Sequence, residues 1–196
     1  MGSQEHFLDT SYSKVYILTG KSRFSRGFVM IYTKLLNEDN VIVELRGKSF
    51  EDAIREIISY IEETGKIKDP EKLYNDIIER EKISPTILEN NAVMPHACTK
   101  AVSEKVVAFA RSRAGIPIVD GKYGKFFFFV AVPPHERKKL FDMMSEINYL
   151  VKDKELLGEI LAARNIDDIL YAFHEKRMPL LLELRRKLVR LQKAFA

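Results

Sequence analysis

Apolar positions recur along this chain in two rhythms, and the alternation between them predicts its elements. Apolar or β-branched runs at 15–18, 28–32, 41–45, 106–110 and 125–132 predict strands. The last holds four consecutive phenylalanines, Phe126, Phe127, Phe128 and Phe129. It is apolar on both faces, which predicts a central strand ended by Pro133-Pro134. Three- and four-residue spacing takes over elsewhere. Ala53, Ile54, Ile57, Ile58 and Ile61 share one face of a helix, with Ser49 as its cap, Asp52 three positions on and Gly65 as its stop. Asp69-Pro70 opens a second helix that points Leu73, Ile77 and Ile78 inward and runs to about Lys82, before Ser84-Pro85. Leu140, Met143, Met144, Ile147 and Leu150 predict a helix over 136–151, and shorter ones follow over 153–163 and 166–175. Pro179 opens a final helix with Leu181, Leu184, Leu188, Leu191 and Phe195 on one side. Strands interleaved with helices predict an α/β sandwich.

With 196 residues, 46% hydrophobic and 31% charged, the chain fits one compact domain with extensions. No apolar run approaches the roughly 20 residues that span a bilayer. The N-terminus shows no secretory pattern, and His6 stands where a myristoylation signal needs Ser or Thr. The single cysteine, Cys98, has no partner for an intrachain disulfide, so a cytoplasmic protein is expected. Cys98 lies two residues after His96, but no second cysteine or paired histidine supports a metal reading. The net charge of +4 is unevenly spread. Residues 176–196 hold seven basic side chains against Glu183 alone, so the rest of the chain is slightly acidic. The expected organisation is an N-terminal extension over 1–36, a domain over 37–175 and a basic amphipathic C-terminal helix over 176–196. That helix is expected to pack its leucines on the domain or on a second copy. No specific nucleic-acid partner is expected, because neither a recognition motif nor interleaved aromatics accompany the charge. Gly20-Lys21-Ser22 matches the end of a P-loop, but the first glycine of that motif would fall on Val15.

The candidate chemistry centres on His96, which follows Pro95 at the end of a short apolar run. The junction is expected to turn the imidazole outward. A neutral imidazole keeps one ring nitrogen with a bare lone pair, and its ordinary pKa allows that near neutrality. Phosphoryl transfer to it needs donors around the phosphoryl oxygens, since catalysis of this reaction is mostly positioning and charge stabilisation. Arg80, near the end of the second helix, is the candidate two-pronged donor. Asn91, Lys125 and His135 are further candidates for steadying the phosphoryl group. No metal and no small cofactor is expected.

The stretch Arg80-Glu81-Lys82-Ile83-Ser84-Pro85-Thr86, then Leu88, then Ala92-Val93-Met94-Pro95-His96, resembles the enzyme IIA domain of the bacterial phosphotransferase system, of the fructose, mannitol and nitrogen-regulatory class. The resemblance extends over roughly 37–175. It takes in Lys68-Asp69-Pro70, Asp120-Gly121-Lys122 and Asn165-Ile166-Asp167-Asp168-Ile169-Leu170. It implies a mixed β-sheet with helices on both faces. It also implies a phosphocarrier that takes a phosphoryl group from the carrier protein HPr on the residue matching His96, beside an arginine matching Arg80. The group would pass to a IIB domain or, in the nitrogen-regulatory type, partners would bind according to phosphorylation state. A degenerate, unphosphorylated scaffold is the remaining alternative. The chain departs from the pattern at the family's second histidine, where Lys125 and Leu140 stand in the two usual places and His135 lies in a different register. Asn90 and Asn91 replace glycines that often precede the Ala-Val-Met-Pro-His stretch.

Overall fold

The computed structural model describes residues 31–174. The run at 15–18, most of the run at 28–32 and the basic C-terminal helix fall outside them.

The elements follow in the order α1 (Tyr32–Leu35), β1 (Val41–Ile42), α2 (Phe50–Glu62), α3 (Pro70–Ile83), β2 (Ala92–Val93), β3 (His96–Cys98), β4 (Val106–Pro117), β5 (Tyr123–Val132), α4 (Arg137–Leu150), α5 (Lys154–Ala162) and α6 (Ile166–His174). The sheet runs β1-β4-β5-β2, with β3 also on β5. Only β4 and β5 are antiparallel; the other pairings are parallel. The expected α/β class therefore holds, and the mixed sheet carries helices on both faces.

The four phenylalanines explain this layering. Side chains alternate along a strand, so Phe126 and Phe128 point to one face and Phe127 and Phe129 to the other. The first pair packs with Val107 and Phe109 of β4 under α1 and α4 to α6. The second pair packs with Ala108 and Ala110 under α2 and α3. Phe109, Phe128 and Phe173 of α6 meet edge to face, the first two with centroids 5.2 Å apart.

The helix boundaries follow local chemistry. Ser49 and Asp52 form a reciprocal capping box at α2. Asp69 accepts the Lys72 amide at 2.9 Å at the start of α3, with Pro70 in the first turn. The strand expected over 41–45 pairs only through Val41 and Ile42, although Leu45 N–H still donates to the Arg111 carbonyl at 2.7 Å.

Residues 31–36, expected to belong to the extension, are built into the core. Tyr32 opens a helix instead of ending a strand, and the cause lies more than 110 residues away. Glu146 of α4 is fully buried. Its Oε2 accepts the amides of Ile31 and Tyr32 at 2.6 and 2.8 Å, and its Oε1 accepts the amide and hydroxyl of Thr33 at 3.0 and 2.7 Å. A carboxylate so placed satisfies the unpaired amides of a helix start and complements its dipole. The Tyr32 hydroxyl donates to the Ala108 carbonyl at 2.6 Å, which ties α1 to β4. Burial, and after it the Glu146 charge, pushes the Tyr32 phenol well above its ordinary pKa. His174, exposed at the end of α6, meets the Thr33 carbonyl at 2.8 Å.

Replacing Glu146 by Ala leaves four donors without that acceptor and is expected to destabilise the domain by about 3 kcal/mol. Urea unfolding of E146A against wild type measures this. A change below about 0.5 kcal/mol, as at an ordinary surface site, would show that the buried carboxylate does not anchor α1.

Candidate functional site

His96 is the first residue of β3 and lies in parallel register with Val130 of β5. The Val130 amide donates to the Pro95 carbonyl at 3.1 Å, which seats the proline junction on the central strand. His96 is 6% exposed, so it does not stand out toward solvent as expected. The reason is that β3 begins at His96 instead of ending there. The residue is thus held in the sheet, in a strand that packs against α3.

The chain between α3 and His96 folds into a tight hairpin. Residue 87 bridges to Val93, the Leu88 amide donates to the Ala92 carbonyl at 2.8 Å, and the Met94 amide donates to the Thr86 carbonyl at 3.0 Å. The reversal passes through Asn90 and Asn91, whose φ angles are 57° and 59°. This left-handed region is glycine's natural territory, and asparagine is among the few other residues that visit it. The asparagines therefore fit the positions where the resemblance leads one to expect glycine. The Asn90 side chain also donates to the Val151 carbonyl at 2.7 Å, fastening the turn to the end of α4.

Three groups act directly on the ring. Its Nδ1 lies 2.9 Å from the Met94 carbonyl oxygen. A carbonyl only accepts, so Nδ1 carries the proton and Nε2 holds the bare lone pair. Burial lowers the His96 pKa below the ordinary 6.5; the Met94 bond opposes this, the Arg80 charge adds to it, and the Glu81 charge again opposes it. The ring is accordingly neutral at neutral pH. Arg80 and Glu81 leave the last turn of α3 together. Arg80 donates from Nη1 to the Ser84 carbonyl at 2.8 Å, just past the helix end, where a cation complements the dipole. A guanidinium has five N–H donors, so this bond leaves a fork able to take further acceptors. Glu81 is 8% exposed and accepts the amide and hydroxyl of Thr86 at 2.6 and 2.9 Å.

The charge of Arg80 thus acts on His96 from 16 positions earlier in the sequence. The other candidates lie elsewhere. Asn91 is exposed in the turn before β2, one position ahead of the pair Ala92 and Phe126, so it neighbours Lys125. Lys125 lies five positions upstream of Val130, about 16 Å along the strand from the residue beside His96. His135 is exposed in the turn Pro134–Glu136 beyond the other end of β5. Strand register brings neither of them to the ring. Leu140 is core. Glu81, Thr86 and the Met94 carbonyl were not among the residues singled out from the sequence. Glu81 did leave a signal: it falls on the same stripe of α3 as Leu73 and Ile77, a carboxylate on an apolar face. Among the described residues no group of three or more His, Cys, Asp or Glu could hold a metal, and no helix is long and apolar enough to cross a membrane.

Known proteins match the chain over this same region. A family model described as "Phosphoenolpyruvate-dependent sugar phosphotransferase system, EIIA 2" matches residues 34–176. The fructose-specific EIIABC component of the phosphotransferase system of Bacillus subtilis (strain 168) is 26% identical over 143 residues, covering 72% of this chain. The chain spans 22% of that relative's length. Among solved structures, the nitrogen regulatory protein IIA-Ntr of Neisseria meningitidis superposes with a TM-score of 0.63 at 17% identity, over 72% of this chain and 97% of that one. The IIA mannitol chain of Escherichia coli, solved in complex with phosphorylated enzyme IIB mannitol, gives 0.60 at 17% identity, over 70% and 96%. At these identities the superpositions show the fold.

Two outcomes are expected. The folded chain prefers neutral His96 and the unfolded chain binds its proton more readily, so stability rises with pH between the lowered folded value and 6.5. Urea midpoints of the wild type should therefore fall relative to His96→Gln as pH drops through that window; parallel profiles would contradict a lowered pKa. In the turn, Asn91→Val should cost about 1–2 kcal/mol and Asn91→Gly much less, because only the β-branched side chain opposes positive φ. Equal unfolding midpoints for the two variants would count against the left-handed turn.

Proposed function

The chain belongs to the EIIA 2 family of the phosphoenolpyruvate-dependent sugar phosphotransferase system, and from that membership we propose that it is a phosphocarrier working through His96. The observation that carries this reading is the hydrogen bond from Nδ1–H to the Met94 carbonyl, which leaves Nε2 as the nucleophile. The donor is a phosphohistidine on an HPr-type protein. The Nε2 lone pair attacks phosphorus in line, the donor's P–N bond breaks, and its electron pair returns to the donor imidazole. A P–Nε2 bond forms, and the proton on Nδ1 stays in place. Little covalent chemistry is left to the protein, so positioning and charge stabilisation do most of the catalysis.

Arg80 supplies the charge. It acts on the ring electrostatically, and its fork suits the oxygens of a transferring phosphoryl group. Arg80 also opposes protonation of His96, which keeps the lone pair available. Asn91, Lys125 and His135, further from the ring, are secondary candidates that act on the docked partner's side of the transfer. The acceptor is a IIB domain, a reading supported by the solved complex of the E. coli relative with phosphorylated enzyme IIB mannitol. Reverse attack by the acceptor nucleophile on the His96 phosphoryl group regenerates the neutral imidazole. On this reading the protein works in the cytoplasm, where such donors and acceptors meet.

Incubation with phosphoenolpyruvate, enzyme I and HPr should add one acid-labile phosphoryl group by intact mass, and His96→Ala should abolish it. Arg80→Ala should slow acceptance by roughly a hundredfold, the usual effect of removing one charge-stabilising donor, with Arg80→Lys falling between. A IIB domain added afterwards should drain the label. Failure of the wild type to gain mass, under conditions that charge a related IIA domain, would sink the phosphocarrier reading. A charged protein that IIB leaves untouched would point to a regulatory partner instead.

A further inference from the structure

An unbroken chain of hydrogen bonds leads from helix α3 to the histidine. The Glu81 carboxylate accepts two bonds from Thr86, through the amide at 2.6 Å and the hydroxyl at 2.9 Å. The Thr86 carbonyl accepts the Met94 amide at 3.0 Å. The Met94 carbonyl accepts Nδ1–H of His96 at 2.9 Å. We propose that Glu81 is a positioning residue for His96: by fixing Thr86 it fixes the strand edge that aims the Met94 carbonyl, and so selects the imidazole tautomer with Nε2 bare. The proposal rests on the phosphoryl-acceptor reading for its consequence, but not for its geometry.

Several features single out this carboxylate. Glu81 lies on the buried stripe of α3 and is 8% exposed, although water would solvate its charge better. Both its oxygens are engaged, and both by the same residue, so it acts as a two-point clamp. The segment it clamps is short and irregular. Ser84 and Pro85 are exposed, and residues 84–88 lie outside the helices and strands, joined to β2 by the bridge of residue 87 to Val93 and the backbone bonds on either side of it. Those bonds tie Thr86 to Met94, and the Glu81 clamp ties the pair to α3. Downstream, α3 also grips the far end of β3, because the Thr99 hydroxyl donates to Asp76 at 2.5 Å. The short strand bearing the nucleophile is thus held to one helix on both sides of the reacting residue.

The clamp makes a demand on geometry and not on charge. Gln offers an oxygen to the Thr86 amide and an amide group to the Thr86 hydroxyl oxygen, so E81Q retains both links; E81A retains neither. The experiment reads the His96 ring nitrogens by 15N NMR on the unphosphorylated full chain, and then the rate of phosphoryl acceptance from phospho-HPr. Wild type is expected to show one dominant tautomer, protonated at Nδ1. E81A should move both nitrogens toward the averaged shifts of a free imidazole and slow acceptance by about tenfold, the scale of a misplaced reacting group. E81Q should restore the wild-type tautomer. Thr86→Val, which keeps the amide link and loses the hydroxyl link, should fall between wild type and E81A.

A folded E81A with the wild-type tautomer would overturn the proposal. So would an E81Q that behaves like E81A, since charge would then be the operative property. If E81A does not fold, T86V decides: wild-type ring shifts there overturn the clamp, and intermediate shifts support it. The tautomer is read with no donor present. A wild type that never accepts a phosphoryl group would therefore remove the function proposed above and leave the tautomer result standing, while a wild type that accepts it normally beside an unmoved tautomer in E81A would do the reverse.

Discussion

The rest of the structure depends on β5 being buried on both faces. Phe126, Phe128 and Val130 face one hydrophobic cluster, while Phe127, Phe129 and Ala131 face the other. Each large aromatic side chain is a substantial hydrophobic gain only if it is covered, so the strand requires helices above and below. Helices α2 and α3 meet one requirement, and α1 with α4 to α6 the other. β5 also gives its edges to β2, β3 and β4. The position of His96 is therefore inherited: it sits where β3 enters register beside Val130, and nothing in its own three-residue strand would hold it there.

Around that strand, buried charges hold down segments too short to satisfy themselves. Glu146 gathers the amides of residues 31–33, and Glu81 gathers the amide and hydroxyl of Thr86. Arg111 does the converse. It is fully buried and donates from Nη1 to the carbonyls of Ile160 and Ala163 at 2.5 and 2.8 Å, at the end of α5, where Arg113 joins it. Desolvating a charge is costly, and each of these groups offsets part of the cost with two or more charge-assisted hydrogen bonds, at least one of them to backbone. The shared consequence is specificity of placement, because a buried charge permits only the arrangement that satisfies it. At the candidate site this has chemical meaning, since the arrangement being fixed includes the peptide that orients the imidazole.

Much of the fold was legible along the chain. The capping box at Ser49, the Asp69-Pro70 start and the stop at Ser84-Pro85 are local signals, and local backbone chemistry decides them. The four-phenylalanine run revealed its two-sided burial because no polar residue interrupts it. The family resemblance, carried by the Arg80 to His96 stretch, agrees with the family model and with the fold. Two features resisted. Tyr32 reads as the end of a strand, yet it opens a helix because a carboxylate 114 residues later supplies what its own neighbours do not. His96 reads as projecting, because a proline junction at a strand end usually turns a side chain outward, yet the residue is buried beside Val130 of the central strand.

Sequence by itself determined helices α2 to α6, the central strand, the α/β class and the presence of Arg80, Glu81 and His96, since periodicity, caps and residue types are properties of neighbours. Tertiary structure alone decided that His96 is buried, that this burial lowers its pKa, and that the charges of Arg80 and Glu81 act on it. Even the bond from Nδ1 to the Met94 carbonyl, only two residues away, depends on how the sheet and the hairpin hold that stretch. A hydrogen bond is lost within a few ångströms and a charge is screened over about 10 Å, whereas sequence spacing carries no distance until the sheet has fixed its register.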